Sequence, residues 1–340
     1  MKLSSVSRPL VCAALLGSLL PLAVPVKAQQ VQMKIADYLP ANHLVFTNAI
    51  KPFMDDVSQR TKGAVSFQYF PGQQLGKAKD LLDLVQSGAV DIALIGPAYA
   101  AEKMPLLTLP ELPGLYTTSC QGTESFQRAA QPGGALGDEF KAMRIRTVIP
   151  FAYQPADLLT ANRAVLKAED WKGLKIRVAG GPTEIAVNML GGVPVRMGPP
   201  DLYQALSRGT IDGAMLVATS ARAYGLEKII KGITTGFSVG SIVQAYVISD
   251  AAWNKLSPDG RAAITAAGAS ATRKVCEAFD ANQTTELKRM AEAGVAINRV
   301  DAATREDWAR RTDSLITEWA KRIKQPEERV RAIYSRLKPQ

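Results

Sequence analysis

Apolar residues along this chain follow two alternating rhythms, a period of two in short runs and a helical period over two turns or more, and the alternation itself recurs. Asp80 to Ile95 reads DLLDLVQSGAVDIALI, and 121 positions later Asp201 to Leu216 reads DLYQALSRGTIDGAML. Each copy opens on an aspartate able to cap a helix, stops at a glycine (Gly88, Gly209) and enters an apolar run through Val90-Asp91 or Ile211-Asp212. The pattern predicts helix, cap and strand in both copies.

The likeness extends backwards. Ala64 to Phe70 and Val193 to Met197 read as strands, each after a glycine and closed by proline. Before them come helical patterns at 44–61 and 182–190, preceded in turn by strand-like runs at 31–37 and 174–178. Each half therefore predicts strand, helix, strand, helix, strand, and parallel strands need such helical crossovers. The expected fold class is α/β, two βαβαβ lobes with a ligand cleft between the carboxyl ends of the strands. Phe151 to Asp170 and Phe237 to Ser249 read as the two crossings between lobes. Helices at 262–290 and 304–323, the latter holding Trp308 and Trp319, complete the chain. The boundaries that follow are a leader at 1–28, a first lobe at 29–152 plus about 243–280, and a second at 153–242 plus about 281–340.

The leader reading rests on Lys2 and Arg8, the apolar run Leu10 to Leu22, and small residues ahead of a cut after Ala28. It predicts export and a periplasmic mature chain. Removing Lys2, Arg8 and Lys27 takes the formal charge from +10 to +7, which still favours anionic partners. The basic residues form no stripe interleaved with aromatics, so nucleic acid is not expected. Cys120 and Cys276 remain in the mature chain; an oxidising compartment permits a bridge, and spacing leaves open whether they meet.

Candidate chemistry is sparse. His43 is the single histidine, which excludes sites built on two imidazoles within one chain and leaves no ready nucleophile and base pairing. Gly180-Gly181 and Gly133-Gly134 form neither a dinucleotide fingerprint nor a phosphate loop. No cofactor, metal site or enzyme activity is expected from these residues. Arg177 is different: in Leu174-Lys175-Ile176-Arg177-Val178 it projects opposite to Ile176 and Val178, near the carboxyl end of a predicted strand. A guanidinium there can grip a carboxylate with two parallel hydrogen bonds.

The motifs FPGQQLG at 70–76, QSGAVDIAL at 86–94, EDWKGLKIRV at 169–178 and DLYQALSRGTIDG at 201–213, in that order, resemble the substrate-binding proteins of tripartite ATP-independent periplasmic (TRAP) transporters. The resemblance spans nearly the whole mature chain. It implies a monomeric, hinge-closing receptor with the type II-like periplasmic-binding-protein fold, whose arginine, Arg177 here, clamps an organic acid anion for delivery to a membrane permease. The alternatives are a receptor that signals instead of feeding a permease, and an exported enzyme acting on a carboxylic acid. Where many relatives carry an asparagine after the second helix, this chain has Leu216. Where sialic-acid receptors carry a further arginine, it has Asp157, which in the cleft would repel a second carboxylate; at the first strand end it has Tyr38. With Met215, Tyr153 and Tyr246, these residues predict a pocket with one ionic end and an apolar or aromatic wall, suited to a monocarboxylate with an apolar or aromatic body. His43, at the start of the first helix, and Gly96, after the third strand, are expected beside the cleft.

Overall fold

The computed structural model describes residues 30–339. The predicted leader lies outside the described residues. Among the described residues, no helix is long and apolar enough to cross a membrane.

Eleven strands form two mixed sheets: β1 (Val31–Ala36), β2 (Val65–Phe70), β3 (Ile92–Ile95), β4 (Ile145–Ala152), β5 (Asp157–Thr160), β6 (Lys175–Val178), β7 (Val193–Arg196), β8 (Gly213–Leu216), β9 (Gly232–Thr235), β10 (Val243–Ser249) and β11 (Ala296–Arg299). The first sheet has the order β2-β1-β3-β10-β4 and the second β11-β9-β5-β8-β6-β7. The internal repeat is visible in both. β1 lies between β2 and β3, parallel to each, as β6 lies between β7 and β8. An antiparallel strand borrowed from beyond a crossing then pairs with the last of each trio, β10 on β3 and β5 on β8.

Two aspartates in the repeat have matching structural roles. The Asp91 carboxylate accepts from the backbone N–H of Lys34 at 2.9 Å, and that of Asp212 accepts from Lys175 N–H at 2.8 Å. Each ties the entry to one strand of its trio to the side of the next. The other repeated pair does not cap as expected. Asp80 turns its carboxylate back to the Lys77 N–H at 3.3 Å, and neither it nor Asp201 makes a side-chain cap, because both already hold helical backbone angles. Gly88 and Gly209 do take positive φ, 77° and 66°, which ends each helix at little steric cost.

The crossings are short. Phe237 to Ile242 is not strand; regular pairing begins only at Val243. The 304–323 pattern divides into Ala302–Arg311 and Leu315–Arg322, with Thr312 closing the first piece by hydrogen-bonding back to Trp308 and Ala309. The long helix Pro258–Glu292 packs on β4 near its start and leads into β11 of the second sheet, so it spans both halves. Helix Leu315–Arg322 then packs on Pro182–Met189 of the second half, and Glu327–Leu337 packs on the 106–111 turn and on helix Ser119–Ala130 of the first.

One apolar cluster runs through the first sheet and into the Trp171–Trp308 contact, where the ring centroids are 5.4 Å apart; a smaller one lies on the other face of the second sheet around Leu159, Leu202 and Leu226. A disulfide joins Cys120 to Cys276. Beside it the Asp280 carboxylate accepts from the N–H groups of Ser119 and Cys120 at 2.7 and 3.0 Å, placing an anion where the N-terminal end of helix Ser119–Ala130 favours one.

Candidate functional site

β6 alternates, and the alternation decides where its arginine goes. Ile176 and Val178 enter the larger apolar cluster; Arg177 lies on the other face, in register with Ala214 of β8. Arg177 as a whole is 1 % exposed. Nε donates to the Met197 carbonyl at 2.9 Å, Nη1 to the Met215 carbonyl at 3.1 Å and Nη2 to the Tyr99 hydroxyl at 2.7 Å. Of its five N–H groups, one on each terminal nitrogen is therefore left, the number a bidentate carboxylate needs. Among the described residues no carboxylate forms an ion pair with it. A buried cation without a counter-charge is costly and calls for an anion.

Glu111 does not supply one. It is buried at the seam between the halves, close to Gly181 and Ala98, with its Oε1 lacking a hydrogen-bond partner. Burial pushes its carboxyl well above the usual range despite backbone donors from Val243 and Ala98, which disfavours the charged form. The seam is tight: a Cβ on Gly180, where φ is +127°, would lie 2.6 Å from the Ala98 carbonyl oxygen.

Around Arg177 the two halves assemble a circuit of polar aromatic side chains. Tyr99 packs edge-on to Tyr38 with centroids 5.5 Å apart, and the Tyr38 hydroxyl accepts from Gln244 Nε2. Gln244 Oε1 in turn accepts from the Tyr153 hydroxyl at 3.0 Å. The Tyr153 ring stands 6.4 Å from His43, whose ring is 6.0 Å from Tyr224. Tyr224 completes the group through its ring contact with His43, and burial pushes all four tyrosine hydroxyls above their ordinary range. His43 is buried, with Nδ1 accepting from the Val45 N–H at 3.2 Å and Nε2 3.0 Å from Ser220 Oγ. Nδ1 as acceptor places the proton on Nε2, which donates to Ser220, and burial pulls the imidazole down to about 3, so it is neutral.

The residues singled out from the sequence thus fall into separate places. Arg177, Tyr38, Tyr153 and His43 come together. Gly96 touches the same group: a Cβ there would lie 2.9 Å from the Tyr99 ring and 3.5 Å from the Tyr38 hydroxyl. Met215 contributes its carbonyl while its side chain packs in the larger cluster, and Leu216 is buried in the smaller one. Tyr246 donates to Asp37 Oδ2, as does Tyr69, beneath β1 and β10. Asp157 is not in the circuit. Its Oδ2 accepts from the Ala218 N–H at 3.3 Å, and it borders a different cavity of about 710 Å³ with Phe237, Arg299 and Tyr334. Burial raises its carboxyl from 3.8 to about 7.

Tyr99, Tyr224, Ser220 and Gln244 belong to the group and were not read from the sequence. Gln244 is the polar interruption in the apolar run at 237–249, and Tyr99 follows Gly96-Pro97 by two residues; those were the available signals. Two partners of Arg177, Tyr99 and Met197, also line a groove of about 380 Å³ whose walls include Glu102 from one half and Arg196 from the other. Arg196 bridges it, pairing with Glu102 at 2.9 Å and with Glu184 at 2.5 Å. Among the described residues no group of three or more His, Cys, Asp or Glu side chains is placed to hold a metal ion.

Residues 35–322 match the family model DctP, described as bacterial extracellular solute-binding protein, family 7. The C4-dicarboxylate-binding periplasmic protein DctP of Rhodobacter capsulatus is 25% identical over 311 residues, 89% of this chain and 91% of its own. Among solved structures, a marine metagenome TRAP solute-binding protein specific for aromatic acid ligands, crystallised with 3-hydroxybenzoate, superposes with a TM-score of 0.83 at 21% identity, over 91% of this chain and 98% of that one. A TRAP solute-binding protein from Rhodoferax ferrireducens with copurified benzoate gives 0.79 at 24% identity, again over 91% and 98%.

Proposed function

The chain belongs to family 7 of the bacterial extracellular solute-binding proteins, the solute receptors of TRAP transporters, and on that premise we propose that it binds a monocarboxylate with an aromatic body between its lobes. The observation that carries this reading is Arg177: a buried arginine that, among the described residues, has two N–H groups without a partner and no ion pair to a protein acid, beside a group of tyrosines drawn from both lobes. The carboxylate supplies the missing counter-charge. Flat ring faces suit Tyr38, Tyr99, Tyr153 and Tyr224, which offer apolar surface with hydroxyls at their edges. The aromatic acids held by the two structural neighbours support the same choice.

On this reading the lobes divide at the crossings 153–156 and 236–242, and closure brings Tyr99 onto Arg177 and Glu102 onto Arg196. The exported, closed receptor then hands its acid to a TRAP permease. The alternative, a sensor partner, uses the same closed form.

The test is calorimetric titration of the purified mature chain with benzoate-type acids, C4-dicarboxylates and sugar acids. Benzoate-type acids are expected to bind most tightly and to raise the melting temperature, with no product formed. Arg177→Lys should lose about a hundredfold or more in affinity, because one ammonium cannot reproduce the fork. Full affinity in that variant, or tighter binding of dicarboxylates, overturns the reading.

A further inference from the structure

Hydrogen-bond bookkeeping in the tyrosine circuit leaves a second polar station unsatisfied. Because His43 donates through Nε2, Ser220 Oγ acts as acceptor in that bond, and among the described residues no acceptor is within reach of its own proton. Ser220 is buried. The hydroxyl of Tyr224, whose ring is 6.0 Å from His43, is buried with no hydrogen-bond partner among the described residues. Both residues lie on the segment that follows β8, one residue of which, Met215, already fixes Arg177 through its carbonyl. One continuous piece of the second lobe therefore carries a carboxylate grip and, a few residues on, idle O–H donors at Ser220 and Tyr224, with Thr219 Oγ1 beside them also lacking a partner among the described residues.

Idle buried donors are costly, and a ligand oxygen is the partner that would remove the cost. The charge on that oxygen is also constrained. Neither His43 nor any residue bonded to it carries a positive charge, and Arg222, next along the chain, is half exposed and paired with Glu286 at 3.6 Å. A second carboxylate would be buried there without a counter-ion.

Building on the aromatic monocarboxylate reading above, we propose that Ser220 and Tyr224 read a neutral oxygen on the ligand ring, so that hydroxylated aromatic monocarboxylates are preferred over both unsubstituted ones and aromatic dicarboxylates. Ser220 and Tyr224 are on this account specificity residues, and His43 positions Ser220. Sites built to hydrogen-bond a hydroxyl discriminate strongly against an analogue that lacks it, since the protein donors are then left unpaired.

The experiment measures affinities of benzoate, 3-hydroxybenzoate, 4-hydroxybenzoate and isophthalate for the wild type, Ser220→Ala and Tyr224→Phe, with ligand-free melting curves to verify folding. At least one hydroxybenzoate should bind about tenfold or more tightly than benzoate, and isophthalate more weakly than benzoate. In either variant the ratio of hydroxybenzoate to benzoate affinity should shrink by about threefold or more, whatever the change in benzoate affinity itself. Benzoate binding as tightly as both hydroxybenzoates, or a preference that survives intact in both variants, overturns the inference while leaving the aromatic-acid reading standing. If no acid of the series binds, that reading fails, and this inference with it.

Discussion

The hydroxyl of Tyr99, on the turn after β3 of the first lobe, accepts a 2.7 Å hydrogen bond from Nη2 of Arg177, on β6 of the second. One contact thus both orients the candidate carboxylate grip and joins the two lobes across the groove. Tyr99→Phe keeps the ring against Tyr38 and removes only that acceptor. Ligand affinity should fall about 10- to 100-fold, the range for a hydrogen bond to a charged group, with little change in ligand-free stability. Unchanged affinity in titration would show that the guanidinium is positioned by Met197 and Met215 alone.

Glu111 tests whether the seam holds a charge. Since burial raises its carboxyl and disfavours the charged form, Glu111→Gln exchanges it for a neutral group of the same shape. Affinity at pH 7.5 should stay within about threefold and melting within about 3 °C of the wild type. A drop of tenfold or more in affinity would identify Glu111 as an ionised partner of Arg177 instead.

Asp157 makes a pH prediction. Its folded carboxyl titrates at about 7 against 3.8 when free, so between those values the folded state holds a proton the unfolded state has lost. Stability is therefore highest below the lower value, declines as pH rises, and levels off above the upper one; the full cost is of order 4 kcal/mol. Asp157→Asn retains an acceptor for the Ala218 N–H and abolishes the titration. In urea unfolding at pH 4, 6 and 8, the variant should match the wild type at pH 4 and exceed it progressively at pH 6 and 8. Parallel profiles would mean the carboxyl is not desolvated. Asp37, raised to about 6 by the same burial, bends both curves alike and leaves the difference intact.

The Cys120–Cys276 bridge closes a loop with a sequence separation of 156 and ties helix Ser119–Ala130 to the long helix within the first lobe. Chain-entropy arithmetic puts its contribution at about 5 kcal/mol. The paired substitution to serine should lower unfolding stability by up to that amount, less because Asp280 still holds the same helix end, and should leave ligand affinity within a few fold. A large affinity loss without a stability loss would place the bridge in the hinge rather than the scaffold.

Much of this molecule could be read from local pattern. The repeat at Asp80 and Asp201 carries two helix-strand units because side-chain periodicity and glycine stops are properties of a few consecutive residues. The same reasoning put Arg177 on the face opposite Ile176 and Val178, since alternation along a strand admits only two faces. Where the expectation erred, the cause was also local: Asp80 and Asp201 have the cap's chemistry and helical backbone angles, and Thr312 breaks a pattern that otherwise reads as continuous.

What stands beside Arg177 was decided by tertiary structure. Tyr38, Tyr99, Tyr153 and Tyr224 belong to four segments far apart in the chain and meet only because the crossing strands bring one lobe's loops against the other's. Nothing in the neighbourhood of Tyr246 told it from Tyr153, yet one hydroxyl turns to Asp37 and the other to Gln244. Periodicity reports which side of an element a residue occupies; which partner waits there depends on contacts between distant segments, and those exist only once the two lobes have folded and met.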